Sequence, residues 1–234
     1  MRFVSFSSAL ALCFCLSGIG CSNGITRSTA ATVFFVSGKV VFGTAERNDF
    51  QAVTLSSKIQ RGDTVRTSDG ASINLMLIPG AFVQLSGNSE IKIEELHVTK
   101  DGNETAGGVL DRRASILLNR GTIVSLFSHS DTALSEFKIA TRQITVKPDS
   151  DCLFSVWTDG ATSRVASGRG EVMTFSNTQG ELKIAAGYFA RWPSTSNEPI
   201  AAIGNATAQI DIKTALDAEV ELLDQAAGWQ NRRM

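Results

Sequence analysis

Apolar and polar residues alternate in short runs from Thr32 to Trp192, and Gly, Asn, Asp and Ser separate the runs. In "ASINLML", Ile73, Leu75 and Leu77 share one parity while Ser72 and Asn74 share the other, so a strand here has one dry face and one wet face. The runs "AFVQLS", with Val83 and Leu85, and "SEIKIEEL", with Ile91 and Ile93, repeat the pattern after Pro79-Gly80 and Gly87-Asn88. Three such runs predict a β-meander with a single buried face. Asp69-Gly70, just ahead of them, reads as a hairpin turn.

The polar, glycine-rich stretch "KDGNETAGGVLDRR", Lys100 to Arg113, predicts an exposed loop or a break between two β layers. Strand signals resume in "SILLN", "TIVSLF", "EFKIAT", "QITV", "CLFSVW", "SRVA", "EVMTF", "ELKIA" and "YFARW", punctuated by Gly121, Gly160, Gly170, Gly180 and Gly187. No period is regular enough to be a repeat. The expected fold is all-β, a two-layer sandwich or a solenoid-like stack of short strands.

After a linker over residues 193–206 the periodicity changes. Thr207 to Ala227 place Ile212, Leu216, Val220, Leu223 and Ala227 at helical spacing, with Gly228 as a stop. This predicts a C-terminal amphipathic α-helix over 207–228, with Asp211, Asp217, Glu219, Glu221 and Asp224 making its other faces acidic. Such a helix either packs on the β domain or pairs with itself or a partner.

The N-terminal stretch runs from Arg2 through an apolar segment, Phe3 to Leu16, to small residues before Cys21. That order predicts a signal peptide over 1–20. Gly20-Cys21 suggests a lipoprotein site with Cys21 acylated and residues 21–31 as a tether; Gly18 stands where such sites usually carry Leu, and a plain signal peptide or an uncleaved anchor are the alternatives. The chain then sits in the bacterial cell envelope, periplasmic and lipid-anchored. Of four cysteines, Cys13 and Cys15 fall in the removed segment, which leaves Cys152 alone in the β domain with no disulfide partner. Cys152 in "DCLFSVW" reads as a small buried hydrophobe.

Charge excludes one class of partner. Twenty-two basic against 23 acidic residues, without a run of like charge, leave no footprint for nucleic acid. The two histidines, His97 and His129, lack companions at ligand spacing, so no metal or other cofactor is expected. "FSHSDT" sets Ser128, His129, Ser130 and Asp131 side by side, but neighbours on a strand point to opposite faces and no Gly-x-Ser-x-Gly elbow exists, so it reads as a polar turn. "SGRGEV", Ser167 to Val172, has no Lys-Ser/Thr and no following helix, and reads as a β-turn. Asn103 and Asn205 open glycosylation sequons that matter only in a eukaryotic secretory route. No catalytic residue is expected. Trp157, Tyr188 and Trp192 are candidate stacking surfaces for a glycan or other small ligand, and otherwise core filler.

The order of these features resembles the FecR-like periplasmic domain. The pieces that carry the resemblance are "GKVVF" (Gly38 to Phe42), "IQRGDTVRT" (Ile59 to Thr67), "ASINLML", "GAFVQLS", "SEIKIEE", then "LLNRGTIV", "FKIAT" and "ELKIAAGYFARW". The match covers about Val33 to Trp192, within a β domain at 32–192. Gly62, Asp63, Arg66 and Thr67 are its structural turn, with Asp63 and Arg66 expected to pair with backbone or with each other. Asp151-Cys152 stands where the family tends to have Gly-Thr. Anti-sigma members carry a cytoplasmic domain and a membrane helix ahead of this module, whereas a signal-like segment stands there in this chain. The resemblance therefore implies a stand-alone exported form, without the sigma-factor role. What it implies functionally is a noncatalytic protein-interaction or signal-sensing module with an envelope protein partner, working by strand-edge contact with the helix as a second surface. A periplasmic glycan or small-ligand binding protein is the alternative.

Overall fold

The computed structural model describes residues 24–101, 108–129, 134–177, 180–194, 196 and 198–231. The signal-like segment and Cys21 lie outside the described residues. Among the described residues eighteen strands run in order: β1 Gly24–Ser28, β2 Ala31–Ser37, β3 Val40–Gly43, β4 Gln51–Ala52, β5 Lys58–Ile59, β6 Thr64–Thr67, β7 Ser72–Ile78, β8 Ala81–Leu85 and β9 Glu90–Asp101. Then come β10 Val109–Phe127, β11 Leu134–Ala140, β12 Ile144–Pro148, β13 Cys152–Thr158, β14 Ser163–Arg169, β15 Glu171–Ser176, β16 Gly180–Ala185, β17 Tyr188–Trp192 and β18 Ile200–Ala201. The helix α1 Ala206–Asn231 follows a short 3-10 turn at Ala202–Gly204.

The strands form a two-layer sandwich. One sheet runs β4-β3-β6-β9-β10-β11-β12-β15-β16, with β1 beside the second half of β9. The other runs β5-β2-β7-β8-β10-β13-β14-β17-β18. Both are open, with edges at β4 and β16 in the first and β5 and β18 in the second. The chain changes sheets every one or two strands, which is what gives the sequence its stack-like rhythm.

Strand β10 belongs to both layers. Its first half pairs with β9 and β11, and from Gly121 onward it pairs with β8 and β13. The bend falls at Gly121, φ +92°, where an added Cβ would lie 2.5 Å from Ser89 Cα. No side chain fits there. The core between the sheets is built from the odd or even residues of facing strands, among them Ile73, Leu75, Val83, Leu85, Ile91, Ile93, Ile116, Ile123, Phe137, Phe154 and Trp192. Each fully buried aliphatic contributes roughly 1.5–3 kcal/mol.

Three expectations change. The meander does not form: β7 and β8 make a hairpin, but the chain crosses at Gly87-Asn88 and β9 joins the opposite sheet. Ile91 and Ile93 thus face Val83 and Leu85 across the core instead of lying beside them. Asp69-Gly70 likewise is a crossing between β6 and β7, which sit in different sheets, and not a hairpin. The third concerns the loop expected over Lys100 to Arg113. β9 runs through Asp101 and β10 begins at Val109, so strand pairing reaches well into it.

The faces differ from expectation too. The wet face of β7 and β8 is covered by α1: Asn74 Nδ2 donates to Gln225 Oε1 at 2.5 Å and Gln84 Nε2 to Glu221 Oε2 at 3.0 Å. Around these pairs a second core forms from Phe34, Val124, Leu126 and Leu153 against Ala215, Ala218 and Leu222. Asn205 caps the helix, its Oδ1 accepting from Ala208 N at 3.0 Å. Gly228 does not stop it, since a glycine costs only about 1 kcal/mol relative to alanine in a helix. Residues 24–28, expected within a tether, pair with β9 as β1, and the expected linker holds β18 and the 3-10 turn, pinned by Ala202 N to Gly187 O at 2.9 Å.

Candidate functional site

The motif at Ile59–Thr67 is built from hydrogen-bonding demands. Gly62, at φ +94°, turns its N–H to Ile93 O at 2.8 Å, and Ile93 N returns to Asp63 O at 2.8 Å. The Asp63 carboxylate accepts from Gln60 N at 2.7 Å and closes the turn. Arg66 reaches Glu90 at 2.9 Å, with its guanidinium 4.2 Å from the centre of the Phe50 ring. Asp63 therefore pairs with backbone, and Arg66 with Glu90. Thr67 is buried: its hydroxyl donates to Ser86 O at 2.6 Å and accepts from Ser89 N at 2.9 Å, tying β6 to the β8–β9 crossing. All four motif residues are engaged in holding strands together.

The other reactive-looking residues are separated. His129 lies on the surface, its backbone N–H donating to Asp151 Oδ1 at 2.6 Å; Ser130 and Asp131 fall outside the described residues. His97 sits on the outer face of the first sheet, Nδ1 3.2 Å from Glu95 and Nε2 3.9 Å from Asp111. Arg113 joins Asp111 at 2.9 Å and Glu136 at 3.8 Å, so polar side chains form a ladder across β9, β10 and β11. Among the described residues no three His, Cys, Asp or Glu side chains converge as a metal site. "SGRGEV" is the β14–β15 turn, with Gly170 at φ +70° and Ser167 Oγ donating to Gly170 O at 3.1 Å.

Cys152 is fully buried, and burial, with the Asp151 charge second, pushes its thiol up from about 9 to about 12. A thiolate is what reacts, so this thiol is inert in the folded protein. Between those two values the unfolded chain releases the proton and the folded chain keeps it. Stability contributed by the neutral thiol is therefore present below pH 9 and lost as pH rises, at about 1.4 kcal/mol per unit. Denaturant unfolding at pH 8 to 10.5 should show Cys152→Ala with a shallower decline than the native chain; parallel declines would contradict the shift.

The three aromatic candidates do not assemble. Trp192 is 2% exposed in the main core and Tyr188 is 41% exposed at the start of β17. Trp157 lies under Arg164, whose guanidinium is 3.9 Å from the ring centre. A groove of about 710 Å³ between Ser28–Val33 and Leu55–Arg61, faced by Lys58 and Arg61, contains none of them. No common stacking wall exists.

Helix α1 turns its expected apolar row outward. The row Leu216, Val220, Leu223 is 44%, 61% and 51% exposed, with Ala227 exposed beside it and Ile212 partly covered. The inward face consists of Ala208, Ala215, Ala218 and Leu222. Two acids counted with the outer faces turn inward instead. Asp211 accepts from Arg164 Nε and Nη2 at 3.0 and 3.3 Å. Arg169 Nη1 lies 2.6 Å from Glu219 Oε1, an ion pair whose angle falls outside hydrogen-bond geometry. The signal that could have revealed this was the pairing of Arg164 and Arg169 on β14 with acids two turns apart on the helix.

No protein-family model matches the chain. No curated protein matches it either. Two crystal structures, each of a candidate anti-sigma factor from Parabacteroides distasonis ATCC 8503, are similar in fold at 16% identity, with TM-scores of 0.43 and 0.42. Each match covers 62% of this chain and spans 64% of the other chain's length.

Proposed function

We propose that the chain is a noncatalytic, FecR-like interaction or signal-sensing module of the bacterial cell envelope, exported and held to the membrane by a lipid on Cys21. The observation that carries the interaction reading is the aliphatic row Leu216, Val220, Leu223, which faces away from the domain. A surface helix ordinarily turns its large aliphatics to the core. Large apolar side chains aligned on the outside offer a contact surface. The reading is supported further by the ordered strand motifs and by the structural use of Gly62, Asp63, Arg66 and Thr67. Export and anchoring are supported by the Phe3–Leu16 segment and Gly20-Cys21.

In-cell crosslinking of the intact protein, followed by mass spectrometry, tests both parts. The expected result is a diacylated Cys21 and a discrete envelope partner set that is lost in the triple variant Leu216→Gln, Val220→Gln, Leu223→Gln. An unmodified Cys21 within an intact N-terminus would remove the anchor. An unchanged partner set would remove the helix as the contact.

A further inference from the structure

We propose that the outer row of α1 is the docking seam for a basic amphipathic helix of another protein. This rests on the reading of the chain as an interaction module and names the kind of partner. Leu216, Val220, Leu223 and Ala227 follow one another at spacings of four, three and four. That is the spacing of a heptad seam, in which each side chain fits between four of a facing helix. Ile212, four residues before Leu216, packs toward the domain against the cluster of Ala166, Phe189, Ala202 and Ala208, so the open row begins at Leu216. From Leu216 to Ala227 the row is about 16 Å long at 1.5 Å per residue, enough for roughly three turns of partner.

Charge selects the occupant. Within its 26 residues α1 has one lysine against five acids. Asp217 and Asp224 each follow a row member, Leu216 and Leu223, so they flank the seam on one side. Glu219 flanks it on the other, already tied to Arg169, while Glu221 is tied to Gln84. Lys213 answers Asp217 at 2.5 Å and leaves Asp224 exposed, with no cation against it among the described residues. A second copy would meet this pattern badly. Antiparallel pairing sets Asp224 of one copy against Asp217 of the other, like charges that oppose association, and parallel pairing offers Asp224 no cation, because Glu219 is turned inward to Arg169. The anionic surface of a membrane meets the same repulsion. A helix with an apolar seam and Lys or Arg at the flanking positions satisfies both the row and the acids.

The test uses the full chain and two synthetic peptides of three heptads, both with Leu at the seam, one flanked by Lys and the other by Glu. The expected result is binding of the Lys-flanked peptide at least tenfold tighter than the Glu-flanked one, weakening as salt is raised. Asp217→Lys with Asp224→Lys should reverse the preference. Leu216→Gln, Val220→Gln, Leu223→Gln should abolish binding with the thermal midpoint and far-ultraviolet dichroism unchanged, since these side chains lie outside the core. Equal binding of both peptides, binding of neither, or concentration-dependent dimers of the native chain that the triple variant dissolves would each overturn the proposal. The interaction reading itself stands or falls separately, on the crosslinked partner set, because a partner at a strand edge would leave that set intact while these peptides failed to bind.

Discussion

Gly121→Ala is expected to destabilise the protein by about 3–5 kcal/mol, among the largest effects a single methyl can have. The methyl would meet Ser89 Oγ at 2.2 Å and Ser89 Cα at 2.5 Å, so moving one side chain aside does not relieve it. Ser89 is itself fixed. Its N–H goes to Thr67 Oγ1, and its hydroxyl accepts from Thr122 N at 3.0 Å. Three strands and the crossing between layers meet at this residue, so displacing it loosens the joint where β10 passes from one sheet to the other. Gly160→Ala supplies the control. Gly160 has the same φ, +92°, but the nearest atom to an added Cβ is Asn119 O at 3.8 Å. The backbone cost alone, about 1–2 kcal/mol, should appear there. Chemical denaturation of both variants reads the difference, and equal losses would show that the packing at Ser89 is not what demands glycine at the bend.

How much of this was legible beforehand depends on what alternation reports. It tells which side of a strand is dry, and so the all-β class and many core residues, such as Ile73, Leu75, Val83, Ile91 and Ile93, could be read directly. It does not tell whether the next dry face lies beside the first or across from it. For that reason alternation alone sets β9 next to β8, whereas β9 belongs opposite. Gly62-Asp63 was legible as a turn because glycine and aspartate carry local instructions, whereas the partners of Arg66 and Thr67, at Glu90 and at Ser86 and Ser89, lie too far along the chain to be inferred. Asn74 and Gln84 looked like solvent positions. In the folded chain they are the hydrogen-bonding contacts for a helix more than 130 residues later. The helix itself was visible in its period, but its orientation was not, because hydrophobicity ranks Leu216 and Leu223 above Ala215 and Ala218. Bulk decides otherwise: Phe34, Phe35, Met76 and Phe82 already fill the outer face of the second sheet, so a helix settles there through small residues. Arg164 and Arg169 then draw Asp211 and Glu219 inward and fix the rotation.

That rotation makes Leu222 and Leu223, adjacent and chemically identical, unequal. Leu222 is fully buried against Phe34, Val124, Leu126 and Leu153, and Leu223 is half in solvent. Leu222→Ala should cost about 3 kcal/mol, the transfer of the lost methyl groups plus the cavity left beneath the helix. Leu223→Ala should stay within about 0.5 kcal/mol, since the position is exposed and alanine suits a helix at least as well as leucine. Hydrogen exchange adds a local readout. In Leu222→Ala the amides of Ala206–Asn231 should exchange faster, along with those of β2 and β8 beneath it, while β11 and β12 on the far sheet keep their protection. If Leu223→Ala were the costly change and Leu222→Ala the mild one, the row Ile212, Leu216, Val220, Leu223 would be the face that docks on the sheet. No outer seam would then remain for a partner, and the acids at Asp217 and Asp224 would flank a buried contact instead of an open one.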